Sequence, residues 1–217
     1  MNELSFLQTV AVWALPVIFA ITVHEVAHGW MAKRFGDPTA DMLGRLTLNP
    51  VKHIDPIGTV AVPLILLWLG GLLFGWAKPV PVATENFRRP KQDMAWVAAA
   101  GPASNLIMAL LWGMIFKLGA ALGGSLAWVA IPLMYMGLAG MQINIILAVL
   151  NLLPFPPLDG GRVLSGFLPD KWANQYNRIE PYGLLILLVL LASGALGTLL
   201  QPLVTGAYTI LEKVLQL

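Results

Sequence analysis

The chain has 217 residues, 58% of them hydrophobic and 11% charged, and its mean hydropathy is +0.75. Soluble domains carry roughly 25% charged residues, so this composition excludes one and predicts an integral membrane protein. A net charge of +2 is better explained by basic flanks that orient membrane spans than by nucleic-acid binding, and the lack of cysteine removes disulfides, all-cysteine zinc sites, iron–sulfur ligation and a thiol nucleophile.

Apolar runs long enough for a ~20-residue crossing begin near Leu4, Met94, Ser125 and Gly183, and a shorter run interrupted by Gly and Pro covers 57–75. No repeat or soluble segment separates them, so residues 1–217 read as one membrane domain. The opening MNELSFLQ has neither a basic region nor a small-residue cleavage site, and the first span is expected to stay in the product.

That first span ends in FAITVHEVAHGWMAKRFG, residues 19–36. His24 and His28 are four apart and share one helix face, so both imidazoles can reach one metal ion, while Glu25, a step round the helix, faces a water at that ion. With Lys33 and Arg34 marking the interface, His28 lies roughly 7 Å and His24 roughly 13 Å inside it. A charged side chain in a span costs about 2.5–3.5 kcal/mol on insertion scales, which sets metal binding against the plainer reading of histidines at the end of a helix.

Beyond the first span, LNPVKHIDP holds His53, which reads as an ordinary loop histidine. The run at 57–75 is basic on both sides, with Arg45 and Lys52 before it and Lys78, Arg88, Arg89 and Lys91 after it. Both flanks therefore belong to the cytoplasm, and Pro63 with Gly70 and Gly71 suits a re-entrant hairpin better than a straight span, although a short true span stays open. The stretch GWAKPVPVATENF, rich in proline and β-branched residues, reads as an extended edge that could pair with an unwound substrate strand.

The run from Met94 passes through the small-residue stretch VAAAGPASN, and the run from Ser125 ends at NLLPFPPLDGG. Pro154, Pro156 and Pro157 break the helix there, and Gly160 with Gly161 permits unusual backbone angles. A broken helix at membrane depth is tolerated where it is buried or lines a water cavity. A catalytic zinc takes three protein ligands and an open position, and Asp159 is the one remaining acid in an apolar region, so it is the expected third ligand; a plain Pro-Asp-Gly turn is the alternative. All three ligands must lie at one depth, which requires 57–75 to return to its own side. Asn144 and Asn151 share a helix face, and Asn144 reads as an interhelical hydrogen-bonding residue. Lys171 and Arg178 mark the inside again, the run from Gly183 leads outward, and the tail LVTGAYTILEKVLQL is interfacial or a partial span.

The expected fold is thus all-α and multi-pass, with about five transmembrane helices, a re-entrant membrane hairpin and short extended segments. The chain resembles the site-2 proteases, intramembrane zinc metalloproteases marked by H-E-x-x-H in one span and N-x-x-P-x-P-x-x-D-G in another. The second motif stands here as Asn151, Pro154, Pro156, Asp159 and Gly160, and a third family element, G-P-x-x-N, as Gly101, Pro102 and Asn105. The resemblance is to compact members without PDZ or CBS domains. It implies one Zn2+ per chain held by His24, His28 and Asp159, Glu25 as general base, and Asn105 and Asn151 holding substrate backbone or the developing oxyanion. It further implies transmembrane protein or peptide substrates, residence in the lipid bilayer of the cell membrane, and an active site inside the membrane that opens toward the cytoplasm. The rival reading is a non-catalytic metal transporter or channel, against which stands the lack of paired hydropathy repeats.

Overall fold

A computed structural model describes residues 4–62, 65, 77–122 and 126–217. Most of the expected hairpin at 57–75, including Pro63 and the Gly70 and Gly71 pair, lies outside the described residues. Those described form helices and irregular segments, with no strand among them.

Helix α1 (Phe6–Arg34) starts at a reciprocal cap: Ser5 N–H donates to Gln8 Oε1 and Gln8 N–H to Ser5 Oγ. It ends at Gly36, whose φ of +110° lets the chain turn away. A short α2 (Thr39–Met42) follows, then a 3-10 turn (Pro50–His53) and a π-helical turn (Pro56–Ala61). Two long helices, α3 (Pro90–Leu122) and α4 (Ala127–Asn151), pair most extensively, and α1 lies against both. Three short elements close the chain back onto this core: α5 (Asp159–Phe167) against α3, α6 (Asp170–Asn177) and α7 (Glu180–Ala192). Helix α8 (Ala195–Leu215) packs on α4 and α3.

Helices α1, α3 and α4 are each long and apolar enough to cross a membrane. Their polarity is inverted relative to a soluble bundle. Leu106, Ile107, Leu111, Met114 and Leu118 of α3 point outward, whereas Thr22, His24, Asn105 and Asn144 are buried between helices. Close approach comes from small residues: a Cβ at Gly140 would lie 2.1 Å from Trp112 Cγ, so the indole of α3 occupies the space a larger residue of α4 would need. The run from Gly183, expected to lead outward, is bent. It breaks at Gly194, in the left-handed region with φ +76°, and α7 and α8 meet at 85°. Helix α8 contains the tail and seats Leu211 in the cluster of Ala109, Trp112, Met141 and Ile145.

Between the π-helical region and α3, residues 77–83 run as a non-helical strap across α1. Its far end is held by Asp37, which is fully buried and accepts hydrogen bonds from Ala83 N–H (2.7 Å), Asn86 Nδ2 (2.9 Å) and Thr39 N–H (3.1 Å). Burial pushes the Asp37 carboxyl up, but hydrogen bonds from Thr39, Asn86 and Ala83 outweigh it and hold the group below the ordinary carboxylate range. The ion therefore stabilises the fold above the unfolded value near 4, and this contribution is lost as pH falls through the lower folded value. Thermal unfolding in detergent should show Asp37→Ala destabilised by about 1.5–3 kcal/mol at pH 7, with the gap to wild type narrowing only below about pH 4.

Candidate metal centre

Helical spacing brings His24 and His28 onto one face of α1, and their Nε2 atoms are 3.0 Å apart. Asp159 arrives from the other side of the bundle as the first residue of α5. Its Oδ2 lies 3.2 Å from His24 Nε2 and 3.3 Å from His28 Nε2, closing a triangle of three possible ligand atoms. Zinc bonds of about 2.0–2.1 Å in tetrahedral geometry put two donors roughly 3.3–3.4 Å apart, so the triangle has the size of one face of such a site. Asp159 Oδ2 is buried and has no hydrogen-bond partner among the described residues, which a cation would supply.

The far side of each imidazole fixes its orientation. His28 Nδ1–H donates to the Val97 carbonyl at 2.7 Å, because a carbonyl can only accept, and this turns Nε2 toward the triangle. His24 Nδ1–H donates to Asn105 Oδ1 at 2.6 Å. The Asn105 amide is oriented in turn, because its Nδ2 donates to the Ala20 carbonyl (3.1 Å) and to Asn144 Oδ1 (2.9 Å). Asn144 Nδ2 donates to the Gly140 carbonyl at 2.9 Å. A relay anchored on backbone carbonyls thus commits Nδ1 of both rings to donating outward and turns both Nε2 atoms toward the triangle, the arrangement in which an imidazole ligates a metal. These residues fit a zinc ion.

Backbone proximity makes the site possible. A Cβ at Gly101 would stand 2.4 Å from His28 Nε2 and 2.6 Å from His24 Cε1, so only glycine lets α3 floor the two rings. Gly160 and Gly161 serve close approach as well, not the unusual angles expected of them. Neither has positive φ, and a Cβ at Gly160 would lie 2.3 Å from the Leu152 carbonyl oxygen. The proline turn is folded back so tightly on the end of α4 that no side chain fits between.

Above the triangle is a cleft of about 190 Å3. Glu25, Asn151 and Arg162 line it, with Pro79, Val80 and Val82 of the strap. Glu25 Oε2 accepts a hydrogen bond from Val80 N–H at 2.8 Å. Arg162 pairs loosely with Glu180 at 3.7 Å. A larger, more open depression between Arg89, Lys91 and Phe167 lies away from the triangle and contains none of its donors.

The two asparagines expected to contact substrate part company. Asn151 faces the cleft, with Nδ2 donating to the Leu147 carbonyl of its own helix at 3.0 Å, which leaves its second amide hydrogen available. Asn105 is fully buried and both its amide hydrogens are taken, so it has nothing to donate to substrate or oxyanion; its oxygen orients His24 instead. Asn144 makes the expected interhelical bond. His53 is not an ordinary loop histidine: it is buried, Nε2 meets the Thr47 carbonyl at 2.9 Å, and its own carbonyl accepts from Lys78 N–H.

The family model described as Peptidase family M50 matches residues 120–193, which contain Asn151 and Asp159. Over 193 residues the chain is 39% identical to "Putative zinc metalloprotease YwhC" of Bacillus subtilis (strain 168), covering 88% of this chain and 85% of that protein. The chain belongs to peptidase family M50. "Putative zinc metalloprotease Rip2" of Mycolicibacterium smegmatis is 30% identical over 192 residues, 88% of this chain and 69% of its own length. "Putative zinc metalloprotease MJ0611" of Methanocaldococcus jannaschii is 34% identical over 116 residues, 51% of this chain and 54% of its own length. No solved structure matches. An M50 zinc site oriented through Asn105 should lose zinc affinity about 10–100-fold in Asn105→Ala, measured by chelator competition, whereas Asn151→Ala should bind zinc as wild type does.

Proposed function

We propose that the chain is an intramembrane zinc metalloprotease that hydrolyses peptide bonds within or near transmembrane segments of protein or peptide substrates. The observation that carries this reading is the triangle of His24 Nε2, His28 Nε2 and Asp159 Oδ2 with a carboxylate, Glu25, beside it in the same cleft. His24, His28 and Asp159 would hold one zinc. When bound, the ion makes a water nucleophilic at neutral pH and polarises a carbonyl.

The chain's own residues do the rest. Glu25 is held through Oε2, and its Oε1 carries no hydrogen bond among the described residues, so Oε1 is the atom that takes the proton from the attacking water and passes it to the leaving amine. Asn151 offers its free amide hydrogen to the carbonyl oxygen as charge develops there. One turn of an α-helix 10–12 Å wide occupies roughly 400–600 Å3, more than the cleft holds, so a substrate helix must unwind before its carbonyl reaches the site. The unwound stretch lies along the strap, whose Pro79, Val80 and Val82 line the cleft.

The full architecture in this proposal has about five spans with a re-entrant hairpin through 57–75, which puts the zinc site inside the cell membrane near its cytoplasmic face. Support comes from the basic residues on both sides of that run and from the need to gather three ligands at one depth. Cysteines introduced at Val51 and Thr84, in a chain that has none, should both be labelled only from the cytoplasmic side; labelling of position 84 from outside would remove the hairpin.

A metal transporter cleaves no peptide, and a general base is needed for cleavage but not for zinc binding, so cleavage and zinc content of Glu25→Gln together separate the two classes. Cleavage of a reporter transmembrane peptide should fall about 10²–10⁴-fold in Glu25→Gln while zinc content stays at one per chain. His24→Ala, His28→Ala and Asp159→Ala should lose both zinc and cleavage. An active Glu25→Gln protein would sink the assignment.

A further inference from the structure

The strap is stiffer than its lack of regular structure implies. Its sequence at 78–81 is Lys-Pro-Val-Pro. Each proline fixes its own φ and keeps the residue before it in extended backbone, so Val80 N–H, the donor between two residues that have none, points in a narrow range of directions. It points at Glu25 Oε2.

What holds this rod in place is Arg45. Its Nη2 donates to the Lys78 carbonyl at 2.9 Å and to the Pro79 carbonyl at 3.3 Å; the second belongs to the same planar peptide unit as Val80 N–H, and the first to the unit before it. Arg45 as a residue is 9% exposed, its Nε is buried without a partner among the described residues, and no ion pair among those residues includes it. A cation that deeply desolvated is retained at considerable cost, and here its hydrogen bonds go to strap carbonyls and not to a carboxylate. Lys78 N–H adds a bond to the His53 carbonyl at 2.9 Å, so the near end of the strap is pinned from both sides. Helix α1 leaves room for it one turn beyond Glu25, since a Cβ at Gly29 would fall 2.8 Å from Val80 Cγ1.

We propose that Arg45 is a positioning residue for catalysis: by gripping the Lys78 and Pro79 carbonyls it fixes the Val80 N–H that orients the Glu25 carboxylate. The inference rests on Glu25 acting as general base. Misplacement of a reacting group by about 1 Å can cost 10²-fold in rate, so small movements of the strap are enough to matter.

The test uses the full zinc-loaded chain in detergent with Arg45→Ala, Arg45→Lys, Val80→Pro and the Arg45→Ala/Val80→Pro double variant. Val80→Pro removes the donor and keeps the extended backbone. Cleavage of the reporter peptide should fall about 10–100-fold in kcat for Arg45→Ala and for Val80→Pro, by more than any rise in KM, with zinc content unchanged. Arg45→Lys, which keeps the charge but reaches one carbonyl, should fall between Arg45→Ala and wild type. The double variant should be no worse than the worse single one, because both remove the same orientation. Hydrogen exchange in the peptide covering 77–83 should speed up in Arg45→Ala while that of α1 does not. The proposal is overturned by wild-type kcat in Arg45→Ala, by loss of zinc in step with kcat, by a rise in KM alone, or by losses that multiply in the double variant. Should Arg45→Ala fail to fold, Val80→Pro decides alone, and wild-type kcat there overturns it equally. An inactive Glu25→Gln with fully active strap variants removes only this inference; an active Glu25→Gln removes the general base itself.

Discussion

Every polar atom placed inside an apolar bundle must find a partner, and that constraint organises this protein. Amide and imidazole groups deep between α1, α3 and α4 have no water to turn to, so each is committed to partners on these helices. The relay from the Gly140 carbonyl through Asn144 and Asn105 to His24 is the result. Because backbone carbonyls can only accept, the direction of every bond in it is determined, and the relay ends with His24 Nε2 facing Asp159 Oδ2. The centre is thus built by hydrogen-bond accounting in the surrounding helices as much as by its own ligands.

Close helix approach is the second requirement. The relay spans three helices with short amide side chains, which works only where backbones nearly touch. Gly101 beneath the two imidazoles and Gly140 beneath Trp112 set those distances. Packing and chemistry are coupled through them, since a methyl group at either position would displace a ring.

Irregular backbone appears where it faces the cleft. The strap at 77–83 and the proline turn before Asp159 leave the helical ladder, and such backbone is tolerated at membrane depth when it is buried in protein or lines a cavity. Each delivers a group that a helix interior could not: an N–H presented sideways to Glu25 in one case, and in the other a carboxylate at the very start of a helix that packs against α3. The clamps on the strap come from Asp37 and Arg45, residues of the connection after α1, so the helix that carries the histidines is followed directly by the parts that position its glutamate.

Patterns that depend on local geometry were legible in the sequence. The four-residue spacing of His24 and His28, the apolar lengths of α1, α3 and α4, the helix break at the prolines and the isolation of Asp159 in an apolar region each follow from helix periodicity or from the cost of a buried charge. Contacts between residues far apart in the chain were not legible. Asn105 looked like a donor to substrate because nothing in a linear motif shows that both its amide hydrogens are spent on Ala20 and Asn144. Arg45 counted only as a basic flank, and His53 only as a loop residue, until the strap was seen lying across them. The bend in the run from Gly183 was hidden because apolar length does not register a single left-handed residue at Gly194. By itself the sequence determined which residues are chemically able to hold a metal and roughly how the chain is divided. The tertiary structure alone decided which of the polar residues converge on the His24–His28–Asp159 triangle, which face one another and which face the cleft, because a hydrogen bond is assigned by distance and direction between helices, and neither is written in the spacing along one chain.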